Sequence, residues 1–361
     1  MKTALIAMSG GVDSSLAAKM MKDAGFKCIG CTMKLYDNED IGVGESRTCC
    51  SLDDVEDARS VAAGLDIPYY VFNYKEEFRE KVIGNFIEAY ENGKTPNPCI
   101  FCNRYMKFEG LHHKAMELGC DYVVTGHYAR VEEKDGRFVL KKALDESKDQ
   151  SYVLYNLTQE ILAHTMFPLG SLTKSRVREI AGESSFVNAN KPDSQDICFV
   201  PDGDYASFIE RYTGRSYEPG DFVDTDGNIL GKHKGIIHYT IGQRKGLGIA
   251  AGKPIYVNKI DVENNRVVLG DEEELYARRF LVTDFNWISG EAPAGEMRCR
   301  AKSRYRQKEQ DAVVIPKGYD AVEVIFDKPQ RAITKGQAAV LYDGDEVLGG
   351  GTITKIWDLN E

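Results

Sequence analysis

A glycine-rich turn between a strand pattern and a helix pattern constrains this chain more than any other segment. Residues 4–8 are apolar, as in a buried strand, and residues 9–15 read Ser-Gly-Gly-Val-Asp-Ser-Ser before helix-like spacing begins. Two glycines let the backbone turn and approach a ligand closely, and the first N–H groups of a helix carry partial positive charge. The turn therefore predicts a binding site for a nucleotide phosphate. A glycine-rich connection without a ligand is the alternative, and the flanking patterns disfavour it.

The end of this turn disfavours the common phosphate-transfer enzymes. A Walker loop ends in Gly-Lys-Ser/Thr, which supplies a lysine for the terminal phosphates and a hydroxyl for magnesium, and this turn has no such ending. Ordinary kinase or GTPase chemistry is therefore not expected. The turn resembles the pyrophosphate loop of the ATP pyrophosphatase superfamily, whose members attach AMP to a substrate oxygen and release pyrophosphate.

The length and composition favour a multidomain cytosolic protein. A chain of 361 residues predicts two or three domains, and no apolar run approaches the ~20 residues of a membrane span. The first residues lack the pattern of a secretory signal, and nine cysteines, an odd number, favour reduced thiols. The net charge of −10 opposes binding to a polyanion unless basic residues gather on one surface.

The order of the patterns predicts three domains. Alternating strand-like and helix-like stretches predict an α/β fold with a doubly wound parallel sheet over residues 1–210. Glycine-punctuated segments predict a small linking domain at residues 211–280, and short alternating strands predict a β-barrel at residues 281–361. Within the first domain, strands are predicted at residues 28–32, 69–73 and 122–125, with helices over residues 55–65, after a cap at Ser51, and over residues 78–90.

Cys99 and Cys102 form the second informative pattern. Pro96 and Pro98 stiffen the loop around them, and apolar residues at helical spacing follow. A thiol near a helix start has a lowered pKa and more of the reactive thiolate, so Cys102 is a candidate nucleophile. Half of a zinc site, or two small buried side chains, is the alternative for one Cys-x-x-Cys pair.

Of the other cysteines, one is a candidate for a reactive thiol and two are expected in the core. Cys198 ends the polar run at residues 193–198, which is typical of an active site, so it joins Cys102 as a candidate. Cys28 and Cys31 fall in a predicted strand, where their spacing sends the side chains to opposite faces, so core packing is expected. No geometric argument applies to Cys49, Cys50 or Cys120.

A row of basic residues near the C-terminus predicts a nucleic-acid surface. Six cations at every second position lie on one face if the segment is a strand, and their repulsion favours a polyanionic partner, RNA or DNA. A solvated strand face is the alternative. The six residues are Arg298, Arg300, Lys302, Arg304, Arg306 and Lys308.

These features together resemble one enzyme family over essentially the whole chain, the MnmA-type tRNA-specific 2-thiouridylases. The resemblance rests on the glycine-rich turn, the Pro-Asn-Pro-x-x-x-Cys-Asn segment, the distant Cys198 and the basic C-terminal region. Further matching segments are Thr-Gly-His-Tyr at 125–128, Lys-Asp-Gln-Ser-Tyr at 148–152, Gly-Gln-Arg-Lys-Gly-Leu-Gly at 242–248 and Ser-Arg-Tyr-Arg-Gln at 303–307. The resemblance implies a cytoplasmic sulfurtransferase that uses ATP and Mg²⁺ to replace the C2 oxygen of the wobble uridine in Lys, Glu and Gln tRNAs with sulfur.

The resemblance also implies roles for individual residues. Cys198 would receive a persulfide and Cys102 would attack it or help to release its terminal sulfur, and Asp13, by its charge and position, is inferred to orient magnesium-bound pyrophosphate. The sulfur would come from a cysteine desulfurase, with or without carrier proteins, or from inorganic sulfide. ATP would be held by Ala7, Met8, Ser9, Gly10, Gly11, Val12, Asp13, Ser14, Met33 and Gly126. The target base would meet Asn97, Pro98 and Cys99, and the rest of the tRNA would meet His127, Lys148, Asp149, Gln150, Arg304, Tyr305 and Gln337.

One residue departs from the family pattern. Many members carry aspartate where this chain has Cys99, so an acid/base carboxylate is missing. Cys99, Cys102 and Cys198 could instead hold a 4Fe–4S cluster with one iron open to hydrosulfide, and this cluster is favoured slightly over the persulfide relay. Whether Cys102 and Cys198 form a disulfide in any state stays open.

Two other functions would account for part of the sequence. A ligase of the same superfamily, similar to NAD or GMP synthetases, would explain the glycine-rich turn but not the two cysteines or the basic row. A non-catalytic RNA-binding or redox-sensing protein would leave residues 9–15 unexplained.

Overall fold

The structure is a computed structural model, and it describes residues 1–37, 52–184, 186–188, 191 and 197–359. Four features of the sequence analysis lie outside these residues: the cap at Ser51, Cys49, Cys50 and the polar residues 193–196 before Cys198.

The predicted doubly wound sheet is confirmed. Five strands, all parallel, run in the order β3-β2-β1-β4-β7. Strands β2 and β3 follow β1 on one side of the sheet, and β4 and β7 are added later on its other side. The strand order therefore reverses direction between β1 and β4, and in such sheets ligands bind at the carboxyl ends of the strands at this point. The bounds are β1 Thr3–Ala7, β2 Lys27–Lys34, β3 Tyr69–Asn73, β4 Tyr122–Val124, β5 Ala129–Lys134, β6 Arg137–Lys142 and β7 Thr165–Met166, where β5 and β6 belong to another sheet.

The two faces of the sheet are packed as the cysteine spacing predicts. Cys28 packs with Ala4 and Ile6 on one face, whereas Cys31 packs with Leu5 and Cys120 on the other. Burial raises the pKa of the Cys31 thiol far above its usual range, so this thiol stays protonated and unreactive. Cys28 and Cys31 therefore serve the core.

Helices cover both faces of the sheet, and two of them contain π-helical stretches. These stretches, Arg79–Gly84 and Cys102–Gly110, interrupt helices that otherwise continue on either side. The α-helices are α1 Val12–Asp23, α2 Leu52–Gly64, α3 Lys75–Phe78, α4 Asn85–Glu91, α5 Pro98–Phe101, α6 Leu111–Glu117, α7 Gln159–Ala163, α8 Lys174–Glu183 and α9 Tyr205–Thr213.

A small second sheet follows, and an aromatic cluster joins it to the helices. The order is β10-β11-β8-β9 for strands β8 Gly220–Val223, β9 Ile229–His233, β10 Tyr256–Asp261 and β11 Arg266–Gly270. The aromatic cluster comprises Phe86, Phe199, Phe208 and Phe222, each at most 1% exposed. The rings of Phe86 and Phe199 meet edge to face with centroids 5.3 Å apart, a favourable geometry for aromatic pairs.

The predicted C-terminal barrel is confirmed. Six strands pair in the order β12-β15-β14-β13-β16-β17, and β17 pairs back onto β12, which closes the sheet. Closure leaves no open edge within the ring. The bounds are β12 Tyr276–Trp287, β13 Met297–Lys302, β14 Gln310–Pro316, β15 Ala321–Arg331, β16 Ala338–Asp343 and β17 Glu346–Ile356.

The hairpin of β5 and β6 connects the first region of the chain to this barrel. Lys141 of β6 pairs with Glu346 of β17, and the backbone N–H of Lys142 donates to the carbonyl of Asp345 at 2.8 Å. The sequence analysis did not predict this connection, because a hairpin pattern does not identify which sheet the hairpin joins.

No helix in the described part of the chain is long and apolar enough to cross a membrane.

Candidate functional site

The glycine-rich turn is shaped by its own serines. The Ser14 hydroxyl accepts from the Ser9 N–H at 3.1 Å and donates to the Gly11 carbonyl at 3.0 Å. Gly11 caps α1 without a side chain, so no side-chain cap occupies the N–H groups of the first helical turn. These N–H groups are available to an anion, with the partial positive charge of a helix start behind them.

Two glycines allow close approaches around this turn. Gly10 has φ +72°, and a Cβ there would overlap the backbone of Asp54, whose Cα would lie 2.7 Å away. A Cβ on Gly126 would lie 2.8 Å from the carbonyl carbon of Asp13 and 2.9 Å from the nitrogen of Ser14. Gly126 therefore places the turn after β4 directly against the start of α1.

The residues expected to bind ATP meet at the carboxyl edge of the sheet. Ala7 ends β1, Met33 lies near the end of the adjacent β2, and Gly126 follows β4. Met8 is buried, and its N–H donates to the Cys31 carbonyl at 2.7 Å, which fixes the first residue of the turn. The structure thus gathers these positions with Ser9, Gly10, Gly11, Val12, Asp13 and Ser14 around one edge.

The Asp13 carboxylate is bound by two side chains of the protein. Its carboxylate accepts from the Lys174 ammonium at 2.7 and 2.8 Å and from the Tyr128 hydroxyl at 2.9 Å. Coordination of a divalent cation by this carboxylate would require it to release the ammonium of a buried lysine. Asp13 thus holds Lys174 and Tyr128 in place, and its inferred role in orienting magnesium-bound pyrophosphate stays a prediction.

Two further residues that the sequence analysis missed support the turn. The Asn188 amide donates to the Gly10 carbonyl and to the Ser15 hydroxyl, both at 2.9 Å. The Lys191 ammonium binds Asp54 at 2.5 Å and Asp57 at 2.7 Å. No local pattern marks such contacts, because the partners of Asn188 lie more than 170 positions earlier in the chain.

The cysteine segment forms a helix start as predicted. The Asn97 side chain accepts from the Cys99 N–H at 3.1 Å, and Pro98 occupies the first helical position, which requires no N–H donor. Cys99 is exposed and Cys102 is half-buried one turn later. Cys102 and the distant Cys198 both pack against the large hydrophobic core that contains the aromatic cluster.

The three cysteines are not arranged as a metal site. Across the described ranges, no group of three or more histidine, cysteine or acidic side chains lies close enough together to hold a metal ion. Cys99 is near enough to Tyr305 for its charge to raise the pKa of Tyr305, as a lesser contribution behind burial and Asp149.

His127 is buried beside the cysteine helix. Its Nδ1 lies 2.7 Å from the Thr125 hydroxyl, its Nε2 lies 3.5 Å from the Lys107 ammonium, and its ring packs against Phe108 and Phe167. Burial, and secondarily the charge of Lys107, hold the pKa of His127 well below its usual range. His127 is therefore a neutral imidazole, and its side chain faces the interior rather than the surface.

The other residues expected to contact tRNA lie mainly at the junction of the first region and the barrel. The Tyr305 hydroxyl donates to the Asp149 carbonyl at 3.4 Å, and the Gln337 amide donates to the Thr95 carbonyl at 2.8 Å. Gln150 instead supports the nucleotide edge, because its side-chain oxygen accepts from the Tyr128 N–H at 2.9 Å. Lys148 lies in the same turn, half-buried.

The basic row is only partly a strand. Strand β13 ends at Lys302, and Arg304, Arg306 and Lys308 lie in the connection to β14. Acidic neighbours compensate the three strand cations: Arg298 binds Asp327 at 2.6 Å, while Arg300 and Lys302 approach Glu309 at 3.7 and 3.9 Å. The prediction of six cations on one strand face is therefore wrong: three cations lie on β13 beside acidic residues, and the other three lie in the connection.

Comparisons with known proteins agree with this architecture. The "tRNA methyl transferase HUP domain" matches residues 2–202, the "tRNA methyl transferase PRC-barrel domain" residues 206–271 and the "Aminomethyltransferase beta-barrel domain" residues 277–353. The chain is 53% identical over 356 residues to the tRNA-specific 2-thiouridylase MnmA of Clostridioides difficile, covering 98% of each chain. The chain belongs to the MnmA family of tRNA-specific 2-thiouridylases. The MnmA of Acetivibrio thermocellus is likewise 53% identical, over 98% of this chain and 99% of that one.

More distant structures add no argument about the MnmA family site. A 4-thiouridine synthetase–RNA complex with bound ATP is 18% identical and covers 59% of this chain and 50% of that one, with a TM-score of 0.39.

Gly126→Ala tests the close approach at the turn. The added methyl group must displace the backbone of Asp13 and Ser14, so we expect ATP binding, measured by calorimetry, to weaken about tenfold or more. Gly182→Ala in α8 is the matched control, because a Cβ there meets nothing within 4 Å. Unchanged affinity in Gly126→Ala would show that the turn does not depend on this contact.

His127 should make the protein less stable in acid. As the pH falls below about 6.5, the unfolded state binds a proton that the buried imidazole excludes, so the free energy of unfolding decreases by up to about 1.4 kcal/mol per pH unit. We expect His127→Gln to show a shallower decrease than the wild type in urea denaturation at about pH 7 and about pH 5. His113→Gln, at an exposed histidine, is the control, and parallel pH profiles for the wild type and His127→Gln would contradict the expectation.

Proposed function

We propose that this protein is a tRNA-uridine 2-sulfurtransferase, which uses ATP to replace the C2 oxygen of the wobble uridine with sulfur in Lys, Glu and Gln tRNAs. One observation carries the proposal: Cys102 and Cys198 pack against the same hydrophobic core, and the helix of Cys102 also contacts the turn after β4, which lies against the start of α1. The curated relatives, all named 2-thiouridylases, support the thiolation chemistry over the methyl transfer named in the domain descriptions.

The first step is adenylation of the uridine. The C2 oxygen attacks the α-phosphorus of ATP, a bond forms between them, and pyrophosphate leaves with the electrons of the broken bridging bond. The N3 proton of the uridine passes to water. The N–H groups at the start of α1 stabilise the phosphates during this step, because the helix dipole favours negative charge there.

The second step transfers sulfur. The terminal sulfur of a persulfide on Cys198 attacks C2, and AMP leaves with its bonding electrons. The Cys102 thiolate then attacks the Cys198 sulfur, so the electrons of the broken S–S bond pass to the sulfur on C2, and a Cys102–Cys198 disulfide forms. An external thiol reductant supplies two electrons to restore both thiols before the next turnover.

The residues present do not fit the 4Fe–4S cluster expected from the sequence. Cys99 is exposed and lies towards Tyr305, and the described side chains include no group of three metal ligands. No step is therefore assigned to a cluster. Mg²⁺ would enter with the ATP phosphates, its usual ligands, because the carboxylates of Asp13, Asp54 and Asp57 already bind lysines.

The proposed tRNA surface spans the junction of the first region and the barrel. We assign ATP binding to residues 1–210 and tRNA binding to residues 211–280 and 281–361, and place the target base at Asn97, Pro98 and Cys99. The exposed cations of the β13–β14 connection and the contact of Tyr305 with Asp149 support this assignment. The protein would act in the cytoplasm, with a cysteine desulfurase, with or without carrier proteins, delivering sulfane sulfur to the Cys198 thiolate. Inorganic sulfide would need a two-electron oxidant to form this persulfide, so it is not a donor for this route.

Cysteine substitutions test the sulfur chemistry. We expect Cys102→Ala and Cys198→Ala to abolish 2-thiouridine, detected by mass spectrometry of digested tRNA, while calorimetry shows unchanged ATP binding. Cys299→Ala is the control, because Cys299 lies in the barrel, away from the site. Burial raises the pKa of its thiol to about 12, so this thiol is a poor nucleophile. Full activity of Cys198→Ala, or product only from iron-loaded protein and none after chelation, would contradict the persulfide route. Pyrophosphate release without tRNA would indicate a small-molecule ligase.

Arg304→Ala tests the tRNA surface. Arg304 is exposed, so its loss should weaken tRNA binding and reduce the slope of log affinity against log salt by about one phosphate contact. Arg298→Ala is the matched control, because Arg298 already binds Asp327 and should change the slope less. Equal slopes for the wild type and Arg304→Ala would place the tRNA elsewhere.

A further inference from the structure

Lys107 is a half-buried cation on the cysteine helix that the function described above does not use. Its ammonium lies 3.5 Å from His127 Nε2. Within the described ranges no carboxylate forms an ion pair with it, whereas Lys174 binds Asp13 and Lys191 binds Asp54 and Asp57. Among the described residues, carboxylates therefore compensate the charges of Lys174 and Lys191, and none compensates that of Lys107.

The π-helical stretch Cys102–Gly110 brings Lys107 to the side of the helix that carries Cys102. In an α-helix five residues would rotate Lys107 by about 140° away from Cys102. A π-helix bonds each residue to the fifth one along, so Cys102 and Lys107 lie on successive turns of one face. Such stretches are often found at functional sites.

His127 holds the Lys107 ammonium beside the turn after β4. With Lys107 donating to Nε2, the ring proton resides on Nδ1 and donates to the Thr125 hydroxyl at 2.7 Å. His127 directly follows Gly126, whose backbone lies against Asp13 and Ser14 at the start of α1. The ammonium therefore lies beside the turn after β4, which contacts the start of α1.

We propose that Lys107 binds the α-phosphate of ATP and stabilises the negative charge on phosphorus while the uridine oxygen attacks. The phosphate turn lacks a Walker lysine, and Lys107 supplies a cation on the helix of Cys102, beside the turn that contacts the start of α1. Lys107 keeps its proton throughout: the new bond joins the C2 oxygen to phosphorus, and pyrophosphate leaves with the electron pair. This assignment rests on the proposed function.

Lys107→Met and Lys107→Arg test the assignment, with Lys114→Met as the matched control, since Lys114 binds Glu117 further along the same helix. We would measure affinity for α,β-methylene-ATP without tRNA, affinity for tRNA without nucleotide, and the rate of pyrophosphate release with both. For Lys107→Met we expect nucleotide affinity to fall about tenfold or more and pyrophosphate release about 100-fold or more, because a charge-assisted hydrogen bond is lost. Lys107→Arg should retain part of the rate.

The outcomes separate this inference from the proposed function. Nucleotide affinity equal to that of Lys114→Met would overturn the assignment, even if the wild type thiolates tRNA. A loss of tRNA affinity with nucleotide affinity intact would also overturn it and make Lys107 a contact of the tRNA backbone. Weakened nucleotide binding in Lys107→Met supports the assignment even if the wild type yields no thiolated tRNA, in which case only the proposed function fails.

Discussion

The contact of Gly126 with the start of α1 is the constraint on which the site depends. Because no side chain separates the two backbones, the turn after β4 lies against Asp13 and Ser14 and brings His127 and Tyr128 with it. Tyr128 then reaches the Asp13 carboxylate, and His127 reaches Lys107 on the cysteine helix. The separation between the helix of Cys102 and the phosphate turn therefore depends on the absence of a Cβ at Gly126.

Local patterns in the sequence were sufficient to predict the elements of the site. The apolar strand, the two glycines and the helix spacing predicted β1, the phosphate turn and α1, and the spacing of Cys28 and Cys31 predicted the two faces of β2. Each of these elements is determined by residues that are close together in the sequence. Asn97 and Pro98 likewise started a helix where the cysteine pattern predicted one.

The features that sequence reasoning missed depend on contacts between distant residues. Lys174 meets Asp13 across 161 positions, and nothing in either neighbourhood marks the pairing. The prediction for the basic row was wrong for a related reason. The alternation of basic residues does not show that β13 ends at Lys302, or that Glu309, after the connection, lies beside the cations of β13. The three cations of β13 therefore lie beside acidic residues, and the alternating cations after Lys302 lie in the connection to β14.

The hairpin that joins β17 has a consequence for the independence of the parts. Arg130 and Lys134 of this hairpin bind Asp345 at 2.7 Å and Glu346 at 2.6 Å, in addition to the backbone pairing at Lys141. A gene segment that encoded only the barrel would lose these partners and expose part of the β17 backbone as an edge open to pairing with other chains. The barrel is therefore not a module that recombination could exchange alone. A sliding motion of the barrel relative to the nucleotide edge would also have to bend the hairpin.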